Sequence, residues 1–434
     1  MLKYVNFFFI RMSFKVGGFH MAISVRVLGL ILYDVLYSKK RRVRRVVDKA
    51  LSQSISKNKY LQGKKRIFVD VSVIIRDDAG TGIQRVVKEI ANLLKLMDNS
   101  QWSVYFVCAF GKNPYRCVDW IGSEERIVLP PFESKGGDIF LGLDYSLDTV
   151  RRHRKQLEEF RQSGGRLWFL IHDILPIRFP KWFSRRMVVR YKIWLDVIVS
   201  LSEGFFCNSE YTKSELRNLI EDRYGLCDRF RYSVIDMGFS FKKDESILVP
   251  RERVNFSFDE NYIIMVGTIE PRKGHLDIIE AYSSYMRDFK RGNDFNLVLI
   301  GKKGWKVDNV ISCLEKNELY NKKIFWFSDV KDGELDYFYR KCRGLIMASY
   351  DEGYGLPIVE ALSYGKPVLA RNIPVFRPHA KNGVVFFENV TDKTVITESI
   401  SIWLKDIEEG KIVISKPERN WNDAVMTIVN EFDH

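Results

Sequence analysis

The chain has 434 residues, of which 46% are hydrophobic and 29% charged, and its formal net charge is +14. This length exceeds one ordinary hydrophobic core and favours two domains, and the composition excludes a disordered or repeat-built chain. Residues 1–60 carry 13 Lys or Arg and two Asp, so the rest of the chain is nearly neutral and is not expected to bind nucleic acid.

The first predicted segment is a basic, apolar arm over residues 1–63. Apolar residues alternate with charges over 19–37, and residues 39–45 add six Lys or Arg. A basic, apolar-rich helix of this kind is typical of binding to an anionic membrane surface. Because Arg26 and Asp34 interrupt the apolar stretch, it predicts interfacial attachment and not a spanning helix. We expect a cytoplasmic protein, peripheral on the inner face of the cytoplasmic membrane.

Three alternatives stay open for this arm. It could be a signal peptide, although its basic cluster follows the apolar part and no small-residue cleavage site comes after it. Translation could start at Met12 or Met21 and shorten the arm. The arm could also be a solvated leader without a membrane role.

Residues 64–238 are predicted to form a first Rossmann-like domain. A strand, a loop with two glycines and a helix open it, as in doubly wound α/β units. Later apolar runs bounded by turn residues predict parallel strands covered on both faces. The predicted strands are Arg66–Asp70, Trp102–Ala109, Asp138–Leu143, Arg166–Ile171, Phe205–Asn208 and Tyr232–Ile235, with helices at Ile83–Met97 and Leu147–Ser163.

Residues 239–258 are charged, contain Pro250 and lack a clear period, which predicts a linker. The alternation of strands and helices restarts over 259–410, a second doubly wound unit, and 411–434 are predicted to form a final helix. The predicted elements of the second unit are strands Tyr262–Val266, Asn296–Ile300, Ile324–Phe327, Gly344–Ala348 and Pro367–Ala370, and helices Gly274–Phe289, Asp332–Lys341 and Pro357–Tyr364.

The cysteines and histidines suggest no metal site. The six Cys have no CxxC spacing, and none of the six His lies in an HxxxH or HExxH pattern. This predicts free thiols in a reducing cytoplasm and no bound metal.

The loop that is richest in chemistry follows the predicted strand ending at Ala348. In open parallel sheets, ligands bind beyond the carboxyl ends of the strands. Gly353 and Gly355 let the backbone approach a ligand closely. We expect Glu352 and Glu360 to face one crevice, with Glu360 in the first helical turn, where carboxylates can hold the vicinal hydroxyls of a ribose or a sugar.

Glu352 and Glu360, with Gly353-Tyr354-Gly355-Leu356-Pro357 between them, resemble the E-x7-E signature of retaining GT-B glycosyltransferases, in particular glycosyltransferase family 4. The resemblance extends from about Phe68 to the C terminus. It implies two Rossmann-like α/β domains facing a cleft, with the last helix crossing back to the N-terminal domain. It also implies that Glu360 binds the donor ribose, that Glu352 contacts the donor sugar, and that residues 353–356 line the donor site.

One departure from that family lies at Phe376-Arg377-Pro378-His379 and Lys381-Asn382-Gly383. The family usually has a longer acidic stretch here. The edge of the acceptor pocket is therefore left open by the sequence.

The second loop, Gly267 to Gly274, places Arg272 and Lys273 at a helix N-terminus. Backbone dipole and two fixed cations would reinforce each other around a diphosphate, so no metal or other cofactor is needed. The resemblance agrees, since a glycine followed by Arg and Lys is the family's metal-independent diphosphate clamp. Gly267 and Glu270 are then expected to bind the donor as well.

Gly80 and Gly82 follow the first strand, but Arg85 stands where a dinucleotide-binding fingerprint needs its third glycine, which argues against an NAD enzyme. The resemblance implies that both glycines line the donor site; a plain tight turn stays open.

Two further segments end predicted strands of the first domain. The resemblance places His172 close to the donor sugar, with Asp173 beside it, although a buried structural histidine stays open. Asn208 and Ser209 resemble a turn facing the cleft, or serve only as a helix cap.

The resemblance implies hexosyl transfer with retention, in which Arg272 and Lys273 stabilise the leaving diphosphate and Glu352 and His172 act at the sugar. The Lys273 segment is most similar to bacterial polysaccharide mannosyltransferases, so we expect GDP-mannose as donor, with UDP- and dTDP-sugars open. With the arm, the expected acceptor is a lipid-linked glycan such as an O-antigen or capsule precursor.

Two other classes stay open. A nucleotide-sugar epimerase or phosphorylase would share the crevice without releasing a glycosylated acceptor. A non-catalytic partner that binds nucleotide sugars would keep Glu360 and the clamp but show no transfer.

Overall fold

The structure is a computed structural model. It describes residues 64–78, 80–97, 101–120, 129–239, 255–259, 261–288, 295–418 and 420–433, and the backbone of 11–16 and 19–24. The chain divides into two compact units: Met1–Cys207 with Lys213–Ser233, and Asn208–Thr212 with Val234–His434. Residues 240–254 of the predicted linker lie outside the described residues.

In the arm, β1 (Arg11–Val16) and β2 (Phe19–Ser24) form an antiparallel hairpin. The prediction of a helix starting at Phe19 is wrong for residues 19–24, because their backbone groups pair with the preceding strand. The other residues of the predicted membrane helix lie outside the described residues.

The first unit is built on a seven-stranded sheet of order β5-β4-β3-β6-β7-β8-β9. Its strands are β3 (Lys65–Asp70), β4 (Trp102–Phe110), β5 (Asn113–Val118), β6 (Ile139–Gly142), β7 (Arg166–Ile171), β8 (Gly204–Cys207) and β9 (Arg231–Val234). Its helices are α1 (Ser72–Arg76), α2 (Gly82–Leu96), α3 (Leu147–Arg152), α4 (Arg154–Gln162), α5 (Leu175–Arg178), α6 (Arg185–Leu201) and α7 (Glu210–Tyr224), with 3-10 turns at Pro180–Trp182 and Cys227–Arg229.

In this sheet β3 pairs in parallel with both β4 and β6, and β5 returns antiparallel to β4. The chain leaves β3 on one side and comes back to β6 on the other, so the carboxyl ends of β3 and β6 form a topological switch point. Every residue from Leu167 to Ile171 in β7 is buried, as expected for a parallel sheet covered on both faces.

The second unit has a six-stranded sheet of order β12-β11-β10-β13-β14-β15, with every described pair parallel. Its strands are β10 (Tyr262–Val266), β11 (Asn296–Ile300), β12 (Ile324–Phe327), β13 (Gly344–Met347), β14 (Val368–Arg371) and β15 (Val384–Phe387). Its helices are α8 (His275–Asp288), α9 (Asp308–Glu315), α10 (Asp332–Lys341), α11 (Leu356–Ser363), α12 (Lys393–Glu408) and α13 (Trp421–Asp433), with 3-10 turns at Pro271–Lys273 and Arg377–Asn382.

Alternate residues of β10 pack into two separate cores. Ile264 packs with α10 and α11 on one face, and Ile263 packs with α8 and α12 on the other. The continuous apolar run of this strand follows from burial on both faces.

The predicted order of strands and helices is confirmed in both units, with three kinds of difference. The predicted helix Leu147–Ser163 is broken at His153, which has φ −101° and ψ 20° and packs its ring against Tyr115. Missed from the sequence were two strands, β15 and the antiparallel β5, and five helices, α1, α5, α6, α9 and α12. Helix α6 is buried nearly all round and therefore shows no amphipathic period. The last helix begins at Trp421 and not at residue 411, and apart from these differences the predicted helices and strands begin and end within two residues of those observed.

The last helix, α13, belongs to the second unit. Its Trp421 packs so closely against Gly238 that a Cβ on the glycine would clash with the Trp421 backbone. That this helix also crosses onto the first unit stays a prediction. Among the described residues, no helix has both the length and the apolar character that crossing a bilayer requires.

A buried ion pair ties β3 to the start of β6. The Arg66 guanidinium lies 2.6 Å from Asp138, whose carboxylate also accepts from the Arg66 and Lys135 backbone amides, and the two side chains are 9% and 3% exposed. We expect Asp138→Ala to lower the free energy of unfolding of the first unit by about 3–5 kcal/mol in urea, because it leaves a buried cation unpaired.

The exposed ion pair of Asp78 with Lys88 provides the control. Asp78→Ala should cost less than about 1 kcal/mol. Equal losses for the two variants would contradict the assignment of the buried pair.

Candidate functional site

The two loops with the richest predicted chemistry leave β10 and β13, which are neighbours in the second sheet. Because β11 lies on the other side of β10, these carboxyl ends form the topological switch point of the sheet, where open α/β sheets bind ligands. The Lys273 loop is defined as residues 267–274, and the Glu352 loop as residues 348–355.

Glycines give the Lys273 loop its shape. Gly267 and Gly274 have φ of 142° and 68°, in the region that side chains disfavour. A Cβ on Gly274 would clash with the Ala348 carbonyl, so the two loops are in direct contact. Arg272 and Lys273 directly precede α8, as predicted.

Glu352 joins the two loops through ion pairs. Its Oε2 lies 2.5 Å from Arg272 Nη1, and its Oε1 lies 2.5 Å from Lys273 Nζ. Ser349 Oγ donates to Oε1 at 2.9 Å. Arg272 also pairs with Glu270 at 2.7 Å, so the structure brings together Glu270, Arg272, Lys273 and Glu352, four of the predicted site residues.

The charge state of Glu352 is fixed by these partners. Burial alone would raise the pKa of this carboxyl, but the charges of Arg272 and Lys273 outweigh burial and lower the pKa to about 2. Glu352 is therefore ionised throughout the physiological range, and a diphosphate bound by the two cations would have to compete with it.

A second charged group, which the sequence analysis did not predict, supports the Glu352 loop. Arg371 is completely buried at the end of β14, and its Nη2 lies 2.5 Å from Asp277 Oδ2. Its Nε donates to the Ala348 carbonyl at 2.9 Å, and its guanidinium lies 4.2 Å from the ring centre of Tyr350. Tyr350 Oη donates to the same Asp277 oxygen at 2.6 Å.

Arg371 therefore holds both the backbone and an aromatic ring of the Glu352 loop. Tyr350 N in turn donates to the Arg272 carbonyl at 2.8 Å, which couples this support to the Lys273 loop. The sequence does contain a signal for this role of Arg371, because it is a charged residue at the end of an apolar strand. A charge that is buried at such a position needs a buried partner.

Glu360 lies one turn deeper in α11 than predicted. The helix begins at Leu356, after Gly355 in the left-handed region at φ 96°, so Glu360 is its fifth residue and not in the first turn. It is 5% exposed, and its Oε2 accepts a 2.6 Å hydrogen bond from Tyr339. The predicted place of Glu360 in the first helical turn is wrong, whereas its predicted role at a ribose stays a prediction.

Ser209 serves as a helix cap, one of its two predicted roles, and its place facing the cleft stays a prediction. Its Oγ accepts from Thr212 N at 3.0 Å, which caps α7, and donates to the Gly353 carbonyl at 2.6 Å. Thr212 Oγ1 donates to the same carbonyl at 3.0 Å. Asn208, the residue before Ser209, is buried. The segment 208–212 thereby belongs to the second unit and fixes the middle of the Glu352 loop.

The other residues between the two glutamates have separate partners. Tyr354 is 6% exposed and donates from its hydroxyl to the Met237 carbonyl at 3.2 Å. A Cβ on Gly355 would lie 2.6 Å from the Phe376 ring, so this position requires glycine for space as well as for φ. Leu356 opens α11.

The remaining predicted residues lie in the first unit. Gly80 has φ of 65°, and Gly82 begins α2 behind a capping box of Thr81 and Gln84. His172 Nε2 donates to the Leu143 carbonyl at 2.7 Å, and burial lowers the pKa of His172 to about 4, so the ring is neutral at physiological pH. The Nε2–H group is therefore already used in a hydrogen bond within the unit, and the predicted place of His172 close to the donor sugar stays a prediction.

Asp173 acts locally in the same unit. Its Oδ1 accepts from Leu175 N at 3.0 Å at the start of α5, and its carbonyl accepts from Tyr145 and Tyr191 at 2.8 and 2.6 Å.

Sequence reasoning missed two buried aspartates at the β3–β6 switch point. Asp70 accepts from Ser72 Oγ at 2.5 Å and from Tyr115 at 3.0 Å, and burial raises its pKa. Burial also raises the pKa of Asp144 to about 6. The sequence signal for them was an aspartate at the end of one apolar strand, Asp70 in β3, and another shortly after the end of β6, Asp144.

Metal binding has no support in the described part of the chain, where no group of three or more His, Cys, Asp or Glu is placed to hold an ion. Independence from a metal stays a prediction. All six cysteines are free thiols, as expected.

Both loops lie within a segment of the chain that matches a known family. Residues 250–418, which include both loops, match the family model "Glycosyl transferases group 1". The chain is 30% identical over 380 residues to the serotype-specific mannosyltransferase WbdA of Escherichia coli, covering 83% of this chain and 45% of that protein. It is 25% identical over 251 residues to the O-antigen chain mannosyltransferase RfbU of Salmonella typhimurium, covering 57% and 62%. The chain thus spans less than half the length of the WbdA proteins it matches.

Solved structures support the fold. The chain is similar to Anabaena Alr3699/HepE in complex with UDP and glucose, with a TM-score of 0.57 at 14% identity over 85% of this chain and 99% of that one. It is also similar to WaaG, a glycosyltransferase involved in lipopolysaccharide biosynthesis, with a TM-score of 0.52 at 15% identity over 83% and 94%. These structural likenesses confirm the predicted GT-B fold class. The identity with WbdA and RfbU confirms the resemblance to bacterial polysaccharide mannosyltransferases.

The low pKa of Glu352 predicts a specific dependence of stability on pH. Ionised Glu352 stabilises the second unit fully above its unfolded pKa of about 4.5, and this contribution disappears as pH falls towards its folded pKa of about 2. The difference in unfolding free energy between the parent and Glu352→Gln should therefore shrink by about 3 kcal/mol from pH 5 to pH 2. Urea denaturation at several pH values measures it, and a constant difference would contradict the ion-pair geometry.

Proposed function

Because residues 250–418 match the family model of the glycosyl transferases group 1, we propose that this chain transfers a hexosyl group from a nucleotide-sugar donor to a glycan acceptor in cell-surface polysaccharide synthesis. The observation that carries the proposal is the arrangement of Arg272, Lys273 and Glu352 at the switch point of the second sheet. Two fixed cations beside a helix N-terminus suit a diphosphate, and a carboxylate between them suits sugar hydroxyls.

The proposed donor is GDP-mannose. Its support is the likeness to the serotype-specific mannosyltransferase WbdA and the O-antigen chain mannosyltransferase RfbU. Arg272 and Lys273 would bind the diphosphate without a metal, and Glu360 would hold the ribose. A Cβ on Gly267 would lie 3.4 Å from Lys273 Nζ, so glycine at this position places no side chain against that ammonium group.

The proposed reaction proceeds with retention at the anomeric carbon. The bond from that carbon to the diphosphate oxygen breaks, the bond to the acceptor oxygen forms on the same face, and the acceptor proton passes to the departing diphosphate. In the structure Glu352 forms ion pairs with both cations, and Glu270 also pairs with Arg272. A bound diphosphate would replace Glu352 as the partner of Arg272 and Lys273, and Glu352 could then accept hydrogen bonds from the sugar hydroxyls. Negative charge grows on the leaving group, so the two cations would bind the transition state more tightly than the donor.

The proposed acceptor is a lipid-linked glycan on the inner face of the cytoplasmic membrane. This proposal depends on the charge of residues 39–45 and on the O-antigen role of the relative RfbU. The arm would bring the chain to the membrane surface where such an acceptor is held.

Loss of the Lys273 charge tests the reaction. Lys273→Ala should lower kcat for mannosyl transfer from GDP-mannose by about 10²–10³-fold, because one cation that stabilises the leaving group is lost. The exposed Lys316→Ala should leave kcat unchanged. Near-normal transfer by Lys273→Ala would contradict the proposed clamp.

The substrate class is tested first with the parent chain. Thermal shifts with GDP-, UDP- and dTDP-sugars in EDTA identify the donor, and product analysis distinguishes transfer from epimerisation or phosphorolysis. A chain that binds a nucleotide sugar and releases no glycosylated product would be a binding partner instead.

The membrane function of the arm has its own test. Replacing the six Lys and Arg of residues 39–45 by Gln should weaken binding of the full chain to phosphatidylglycerol vesicles, since each cation near an anionic surface contributes about 1 kcal/mol. Co-sedimentation measures the affinity, with pure phosphatidylcholine vesicles as control. Unchanged binding would remove the arm from the proposal.

A further inference from the structure

The first unit carries a basic, aromatic bend between α5 and α6. Residues 174–195 contain six Arg or Lys and neither Asp nor Glu. The basic bend is defined as residues 178–186, in which Arg178, Lys181, Arg185 and Arg186 are all exposed. Such a run without an acid is unusual for the folded body of a chain whose charge is otherwise balanced.

Two half-buried aromatic rings lie among these cations. Phe179 and Trp182 stack with ring centres 4.4 Å apart and an interplanar angle of 30°. The Arg178 guanidinium lies 5.1 Å from the Phe179 ring centre, and the Lys181 ammonium lies 5.8 Å from that of Trp182. Cations and an amphipathic indole side by side are typical of surfaces that meet a headgroup layer.

Two of the cations stand where a helix disfavours them. Arg185 and Arg186 are the first residues of the 17-residue α6, whose first turn has no acid and is capped by Ser184 Oγ accepting from Met187 N. The positive end of the helix dipole repels cations, and the two arginines repel each other. Within the described ranges neither arginine forms an ion pair, whereas Arg178 pairs with Glu215 at 2.7 Å. Their position favours an anionic partner outside the chain.

A small apolar cluster holds the bend in shape. Leu175, Phe183 and Val188 form a core separate from the main core of the unit, and Phe179, Trp182 and Met187 pack against it. The charged side chains of the bend are therefore exposed to solvent, while its two aromatic rings are half-buried.

We propose that the basic bend is a second membrane contact, which binds the surface of an anionic lipid bilayer with its cations at the phosphates and Trp182 at the interface. A bilayer fits better than a nucleic acid, because the cations are mixed with half-buried apolar rings instead of lying along a charged groove. This contact belongs to the folded unit, is separate from the arm, and does not depend on whether the chain transfers a sugar.

Charge reversal in the full chain tests the contact. The variant Lys181→Glu/Arg185→Glu/Arg186→Glu is compared with Lys316→Glu/Lys322→Glu/Lys381→Glu, which reverses three exposed lysines of the second unit and changes net charge equally. Both keep the arm. The bend variant should bind vesicles of phosphatidylglycerol and phosphatidylcholine in equal parts about tenfold or more weakly than the control variant.

Equal affinity of the two variants would overturn the proposal, as would failure of the parent to bind these vesicles. If charge reversal prevents folding, judged by circular dichroism, Gln at the same three positions gives the same comparison. Trp182→Phe provides a second measurement: the parent should show a larger blue shift of tryptophan emission on vesicles than this variant, and identical shifts would place Trp182 away from the bilayer.

Discussion

The ion pairs of Glu352 with Arg272 and Lys273 are the interaction on which the candidate site depends. They join the loops after β10 and β13, two neighbouring strands whose carboxyl ends form the switch point of the sheet. Three charges with little exposure can coexist only because they are mutually satisfied. The same arrangement holds Arg272 and Lys273 at a helix N-terminus, where an anionic ligand could bind them if it competes with the Glu352 carboxylate.

The support for this site is largely backbone geometry and one buried arginine. Gly274 lets the two loops touch, and Gly355 turns the chain into α11 where no side chain would fit beside Phe376. Arg371 then holds the Glu352 loop through the Ala348 carbonyl and the Tyr350 ring. A buried guanidinium with three hydrogen-bonding directions is well suited to fix a loop, because any displacement leaves its charge unpaired.

The two units use charge in different ways. In the second unit, cations and carboxylates are concentrated at the switch point and satisfy each other. In the first unit, the switch point holds aspartates with raised pKa values, Asp70 and Asp144, while Arg185 and Arg186 are exposed at an unfavourable helix end. Places where a sequence breaks a local rule without compensation among the described residues are where external partners are expected.

The sequence by itself determined the two doubly wound units, most strand positions and the two loops that carry the candidate site. It could do so because buried parallel strands are continuous apolar runs, and loops at their carboxyl ends must contain glycine and charge to bind ligands. Only the tertiary structure decided which charges meet: the pairing of Glu352 with Arg272 and Lys273, the support by Arg371, the deeper position of Glu360 and the strand at residues 19–24. Those outcomes depend on contacts between residues far apart in the chain, such as Asp277 with Arg371, and on the exact start of a helix, which local patterns do not encode.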